Sequence, residues 1–314
     1  MNPVSHDHIT VLLQGNYNDE TARIIEQLKA VAPKMPIVLS CWESNRATVT
    51  ATCPAGITKV FSEDPGTPSI PGFKGDNIRR QIVSTRAGLA QVCTPWVVKI
   101  RSDIAIDPTR LEELTALCTA IPADLPALFG HKVVATSLTT LDARRSDLYF
   151  HVCDWVYLGR VEDIRAIFSA PLPEGDFFTH FQSASPAPEI CSRYRSETYL
   201  VYHLVRDKLG VDYPFSGHRD PQLARLSHTV LKDNFAIVNP WNLGLRSSRH
   251  RKLYLWLRPD RHTELTCGSY LARISAARAA LATVRDLSSR AASAATPSLI
   301  SLVLICKRVC TWRA

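Results

Sequence analysis

Lys99, Arg101 and Asp103 alternate through Pro95–Ile106, "PWVVKIRSDIAI", a segment that is otherwise apolar. If this run is a strand, its period of two puts all three charges on one face. Charge on a buried strand face is costly unless the charges pair with each other or meet a ligand. Both readings stay open for Asp103: a ligand contact, or an ion pair with Lys99 or Arg101. Asp154 poses the same question, because it interrupts "DLYFHVCDWVYLG" (Asp147–Gly159) between Cys153 and Trp155. Other polar groups sit where apolar runs end. Gln14 and Gly15 close "ITVLLQG", and Asp64 lies in Glu63-Asp64-Pro65-Gly66. Asn77 and Arg80 open one helical pattern and Glu197 opens another, with Tyr199 two residues on. Arg80 suits a phosphate as a two-pronged donor, or a carboxylate partner. A carboxylate at Glu197 is stabilised by a helix N-terminus.

The elements that must position these groups alternate. Ile9–Gly15, Pro36–Trp42, Thr58–Gly66 and Pro95–Ile106 read as strands, the first as one buried on both faces. Between them, Glu20–Val31 carries Ala22, Ile25, Leu28 and Val31 at helical spacing, with Asn18 or Asp19 as cap. Asn77–Ala90 aligns Ile78, Ile82, Thr85 and Leu89 on one helical face, and Asp107-Pro108-Thr109 caps a helix ending near Ala120. Further on, His131–Leu138 and Asp147–Gly159 read as strands, and Arg160–Ala170 and Ser196–Gly210 as helices. Residues 171–193 read as a loop over the site, and His228–Val238 ends in another strand. Such alternation predicts an α/β sandwich with a largely parallel sheet. Ligands then bind beyond the carboxyl ends of the strands, where the polar groups above are placed.

Bulk properties exclude other classes. In 314 residues, 46% hydrophobic and 21% charged content excludes intrinsic disorder. No apolar run approaches the roughly 18–20 residues of a membrane span; the longest, Leu299–Cys306, is interrupted by Ser301. The opening "MNPVSHDHIT" has no basic start and no apolar core, which predicts a cytoplasmic protein. Nine scattered cysteines with no C-x-x-C predict reduced thiols, not a disulfide framework or a zinc site. The formal charge of +8 suggests a polyanionic partner. Yet residues 246–314 hold 13 basic and 3 acidic side chains, so this stretch is +10 and residues 1–245 are −2. Nucleic acid is therefore not expected across the fold.

Taken in order, "ITVLLQG", "PIVLSCWE", "EDPG", "NIRRQIVSTRAGL", "VVKIRSDI", "HVCDWVYLG" followed by "VEDI", "RSETYL" and "NFAIV" resemble the WavE-type lipopolysaccharide-synthesis family over about residues 9–240. The resemblance implies a GT-A-like, Rossmann-type sandwich spanning residues 1–245. Its nucleotide-binding half covers about 1–125 and its acceptor half about 126–245. By composition, residues 246–314 read as a basic, mainly helical Arg/Ala-rich extension. The implied activity moves a sugar, a hexosyl group, from a nucleotide-sugar donor to a lipopolysaccharide-core, surface-polysaccharide or lipid-linked glycan acceptor.

That chemistry needs the leaving diphosphate neutralised, by Mg²⁺ or Mn²⁺ on carboxylates or by basic side chains. The GT-A pattern places Asp-x-Asp after a strand; here Arg101-Ser102-Asp103 stands there, so the first acid is missing. Either Asp103 alone supports a divalent cation, or Lys99 and Arg101 neutralise the charge without one. The resemblance assigns the nucleotide-sugar to Gln14, Gly15, Asp64, Asn77, Arg80, Lys99, Arg101 and Asp103, and the acceptor to Trp155 and Tyr199. Glu197 and Asp154 are the two candidate bases for the acceptor hydroxyl. Glu189 competes with Glu197 for the family's acid, and His218 is a candidate late metal ligand. The extension's charge predicts peripheral contact with the anionic inner face of the cytoplasmic membrane. A sugar nucleotidyltransferase and a non-catalytic basic protein binding membrane or nucleic acid are the alternatives.

Overall fold

The computed structural model describes residues 4–67, 77–144, 148–173, 195–212 and 220–247. Most of the expected loop at 171–193, together with Glu189, His218 and the extension beyond Ser247, lies outside the described residues.

Strands β1 (Ile9–Gln14) and β2 (Ile37–Trp42) are buried along their whole length, as continuous apolar runs require. Helix α1 (Asp19–Val31) starts at Asn18, whose side chain accepts hydrogen bonds from the Glu20 and Thr21 amides. The expected face of α1 is shifted: Thr21, Ile24, Ile25 and Leu28 are buried, and Val31 is 51% exposed at the C-terminal end. A short helix, α2 (Arg46–Thr52), leads to β3 (Thr58–Ser62), a half-buried edge strand. Helix α3 (Ile78–Leu89) buries Ile78, Ile82, Thr85 and Leu89, the face its spacing predicts.

Strand β4 is shorter than predicted, ending at Arg101 (Trp96–Arg101). The Ile104 amide turns back to donate to the Arg101 carbonyl at 3.1 Å, so Asp103 sits in a turn, not on the strand face. Asp107 then caps through the Thr109 amide, and α4 stops at Thr115 (Leu111–Thr115), short of Ala120. Strand β5 spans Val133–Thr136. The strand expected from Asp147 begins only at Val156: Phe150 has φ +52° and Asp154–Trp155 forms a turn, leaving β6 as Val156–Arg160. Helices α5 (Val161–Ile167), α6 (Ser196–Leu209) and α7 (Pro221–Asn234) follow, the last running straight into β7 (Phe235–Val238). Helix α6 stops where predicted, at Gly210 in the left-handed conformation.

The seven strands lie in the order β3-β2-β1-β4-β6-β5-β7. Six run parallel; β6 is antiparallel to both β4 and β5. The mixed α/β, mostly parallel sheet expected from the sequence is therefore the one observed. Its two faces are covered separately. Leu12, Val97 and Tyr157 pack under α3, α5, α6 and α7, while Val11, Val98 and Leu158 pack against α1 and α4.

Helix α3 is fixed with unusual care for an amphipathic helix. Gly88 lets it settle onto the sheet: a Cβ there would lie 2.3 Å from Leu12 Cδ1 and 3.0 Å from Ser40 Cβ. Ser40 Oγ donates to the Ser84 carbonyl at 2.6 Å, and Gln14 Nε2 donates to Ser84 Oγ at 2.8 Å. Arg86 reaches the Phe168 and Ala170 carbonyls beyond α5. Gly88→Val is expected to lower stability by about 1–3 kcal/mol through overpacking. Urea denaturation would register this as a lower midpoint at constant slope; an unchanged midpoint would contradict the close seating of α3.

Candidate active site

The carboxyl end of β4 carries the densest charge. Lys99 is 0% exposed, and its Nζ donates to the main-chain carbonyl of Asp154 at 2.7 Å. Nζ also lies 5.5 Å from the centre of the Phe168 ring. Burial pulls its pKa down to about 8, against the opposing pull of Asp154. Two residues on, Arg101 grips Asp103 with both prongs, Nε to Oδ1 at 3.0 Å and an Nη to Oδ2 at 2.7 Å. Its guanidinium lies 4.8 Å from the Trp155 ring centre. The ion-pair reading of Asp103 is thus realised with Arg101, and the pair is partly open to solvent.

Asp154 is almost wholly buried, and Gln81 Nε2 donates to its Oδ2 at 2.6 Å. Burial and then the nearby Glu197 push its pKa up; Lys99, Gln81 and Arg101 oppose the rise. Two carboxyl groups sharing one low-dielectric site resist double ionisation. Glu197 stands in the first turn of α6, more open than Asp154, and Ser196 Oγ donates to its Oε2 at 3.1 Å. His151 Nε2 lies 4.0 Å from the same oxygen. Turn and helix therefore bring Asp154 and Glu197 into one electrostatic neighbourhood, 43 residues apart in sequence.

The neighbouring group is built on the first turn of α3. Arg80 clasps Asp64 at 2.7 and 2.6 Å, and the Gly66 amide donates to Asp64 at 2.9 Å. Asn77 occupies the cap position without a capping bond; its Oδ1 lies 3.5 Å from Arg80. Both members of the Arg80–Asp64 pair are about one-third exposed. Since Gln81 reaches Asp154, successive residues of α3 join the β3 end to the β6 turn.

The remaining expected residues are placed as follows. Gln14 is buried and faces Ser84. Gly15 has φ +131°, and a Cβ there would lie 2.8 Å from Ser102 Oγ, so the bare backbone is required where β1 meets the turn after β4. Trp155 is half-buried beneath Arg101. Tyr199 is buried, with its hydroxyl donating to the Pro171 carbonyl at 3.0 Å and its ring 4.4 Å from that of His203. Sequence reasoning passed over Gln81 and His151. Gln81 is masked by the good apolar spacing around it. His151 carries the signal that flagged Asp154, a polar residue in an apolar run three positions earlier.

A divalent cation needs several oxygen or nitrogen ligands converging on one point. Among the described residues no three His, Cys, Asp or Glu side chains do so, and both Asp103 oxygens are engaged by Arg101. The described residues do not fit a metal.

A family model described as WavE lipopolysaccharide synthesis matches residues 9–255. No curated relative matches the sequence. Among solved structures, the chain is similar to the galactosyltransferase LgtC in complex with donor and acceptor sugar analogs. The identity is 14%, over 74% of this chain and 73% of that one, with a TM-score of 0.33. It is also similar to a glycosyltransferase involved in glycosylation of the major capsid of PBCV-1, at 11% identity over 74% and 83%, TM-score 0.30. The apo-form glycosyltransferase GlyE of Streptococcus pneumoniae TIGR4 aligns at 12% identity over 64% and 44%, TM-score 0.30.

The buried ammonium gives a pH test. Lys99 releases its proton near pH 8 in the folded chain, against about 10.5 when unfolded. Between those values the unfolded chain binds the extra proton, so this group adds stability as pH rises. The gain is about 3 kcal/mol in all. The buried thiols of Cys41, Cys118 and Cys153, pushed up to about 12, act in the opposite direction above pH 9. The diagnostic is therefore the difference between wild type and Lys99→Met. It is expected to move in favour of wild type from pH 7.5 to 10 by urea denaturation; a flat difference would contradict a depressed Lys99.

Proposed function

The chain belongs to the WavE lipopolysaccharide synthesis family, and from that premise we propose that it is a glycosyltransferase using a nucleotide-sugar donor and a cell-surface glycan acceptor. The observation that carries this reading is the pairing of two kinds of group at the carboxyl edge of the sheet. Two partly exposed guanidiniums, Arg80 and Arg101, stand on the elements that hold a buried Asp154, α3 through Gln81 and β4 through Lys99, and Asp154 shares its surroundings with the more open Glu197.

In the proposed reaction the acceptor hydroxyl oxygen attacks the anomeric carbon of the donor sugar. The bond from that carbon to the diphosphate oxygen breaks, and its electron pair leaves on the diphosphate. Arg101 and Arg80 meet that growing charge with forked donors, exchanging Asp103 and Asp64 for phosphate oxygens. The hydroxyl proton passes to a carboxylate. Asp154, the group whose pKa is pushed up, sits behind Gln81; Glu197, the more open of the two, takes the proton. Lys99 acts from within the sheet by holding the Asp154–Trp155 turn, not by touching the ligand. Trp155, stacked by Arg101, offers a flat ring to a sugar. Asp103 and Asp64 aim the two arginines when no ligand is bound, and the bare backbone at Gly15 lets the turn that carries Asp103 pack against the end of β1. The +10 charge of residues 246–314 supports a peripheral address on an anionic inner leaflet, where a lipid-linked acceptor is met.

The test is a panel of UDP-, GDP-, ADP- and CMP-sugars offered to the purified chain, with and without Mn²⁺, reading nucleoside diphosphate or monophosphate release. Turnover of one donor class supports the reading. No binding or turnover of any, alongside tight salt-sensitive RNA binding, would contradict it. Two variants divide the roles. Asp103→Asn is expected to lower transfer with the fold intact, because Arg101 loses the charge that aims it before the donor binds. Glu197→Gln is expected to lower kcat about 100-fold or more with donor affinity little changed. Wild-type rates in Asp103→Asn, or collapsed donor binding in Glu197→Gln, would overturn these assignments.

A further inference from the structure

The segment Tyr149–Asp154 is pinned at almost every residue and strained at one. Phe150, wholly buried, holds φ +52°, a conformation that bulky L-residues rarely adopt and that is retained where surrounding structure enforces it. The enforcement comes from α7 and the loop after β5. The Phe150 amide donates to Ser227 Oγ on α7 at 2.7 Å, and the Cys153 amide to Thr140 Oγ1 at 3.0 Å. The His151 carbonyl accepts from the Leu141 amide at 3.0 Å.

What this brace presents inward is the His151 side chain. It is 3% exposed, and neither ring nitrogen makes a well-aligned hydrogen bond among the described residues; the main-chain groups of Thr139 and of His151 itself are the nearest polar partners. A neutral imidazole holds one donor and one acceptor, and leaving a buried donor unpaired carries a free-energy penalty. Nε2 faces Glu197 Oε2 across 4.0 Å, about 1 Å beyond a hydrogen bond. Gaps of this kind close when a ligand completes an active site. Arg195 and Asp154 are the other charged groups near the ring.

We propose that His151 is a positioning residue: its Nε2–H donates to the Glu197 carboxylate in the ligand-bound protein and aims that carboxylate at the acceptor hydroxyl. The strained Phe150 sets the ring beneath Glu197, and the neighbouring turn sets Asp154 beside it. Burial, with Arg195 adding to the effect, holds the imidazole pKa down to about 4, so the ring is neutral at working pH. It orients the carboxylate without neutralising it. The role rests on the reading that Glu197 takes the acceptor's proton.

The experiment uses the full chain, with His151→Phe and His151→Gln, and whichever UDP-, GDP-, ADP- or CMP-sugar the wild type turns over. His151→Phe is expected to lower kcat about 100-fold with donor KM within about threefold. The acid limb of its kcat–pH profile should move to higher pH, because the carboxylate loses a donor that favours its charged form. His151→Gln, which keeps an N–H donor, should recover about tenfold of the loss. Unchanged kcat and an unmoved acid limb in His151→Phe would overturn the proposal; so would His151→Gln no better than a folded His151→Phe. A second arm needs no donor. In ¹⁵N-histidine-labelled protein, His151 is expected as the Nε2–H tautomer, with ring resonances that shift on Glu197→Gln. An Nδ1–H tautomer indifferent to Glu197→Gln would overturn the proposal whether or not any nucleotide-sugar turns over. Absent turnover with a positive second arm would fault the glycosyltransferase reading alone.

Discussion

The ammonium of Lys99 is sealed inside the sheet, and its hydrogen bond to the Asp154 carbonyl decides where the chain turns between the pinned segment and β6. A buried charge of this kind is tolerated only with close partners. Here it is met by a main-chain dipole, the Phe168 ring and the field of Asp154. The bond couples β4 to the turn at the same edge where β4 hands over to Asp103. Arg101, Trp155 and Asp154 take their places from it. The site is thus a consequence of how one costly group is satisfied in the core.

Helix α3 supplies the other constraint. Gly88 seats it against β1 and β2, and Ser40 and Gln14 fix it through Ser84. Once it is seated, its first turn has no freedom: Arg80 projects to Asp64 and Gln81 to Asp154. A helix that looks like ordinary amphipathic packing therefore links a guanidinium suited to phosphate with the buried carboxyl group of Asp154. Stability and chemistry draw on the same contacts. Loosening α3 should disturb both.

The fold was legible where burial is two-sided and continuous. "ITVLLQG" reads as a strand buried on both faces and "PIVLSCW" as a strand, and both are buried strands. Asn18 caps, Gly210 stops a helix, and Asp107 caps as its Pro-Thr neighbours imply. The readings failed where side-chain period gave way to local backbone bonds. Period two carried Asp103 along with Lys99 and Arg101, but the Ile104 amide folds the chain back at Arg101. It likewise carried a strand through Asp147–Gly159, which the left-handed Phe150 breaks. At Phe150 the arrangement is held from Ser227 and Thr140, far away in sequence, which no short window contains. Of the site, the charged residues were visible because they sit wrongly in apolar runs. Gln81 was hidden because a polar residue on a helix is ordinary, although here it bonds a buried acid.

The central claim is that a depressed, buried Lys99 is coupled to Asp154 and organises the site. Its most direct test is the titration of the Lys99 side chain by ¹³Cε NMR, assigned with Lys99→Met and repeated in Asp154→Asn. The account expects a midpoint near 8 in the wild type. It should fall further in Asp154→Asn, because the aspartate's charge supports the ammonium. A midpoint in the ordinary lysine range, indifferent to Asp154→Asn, would contradict the account.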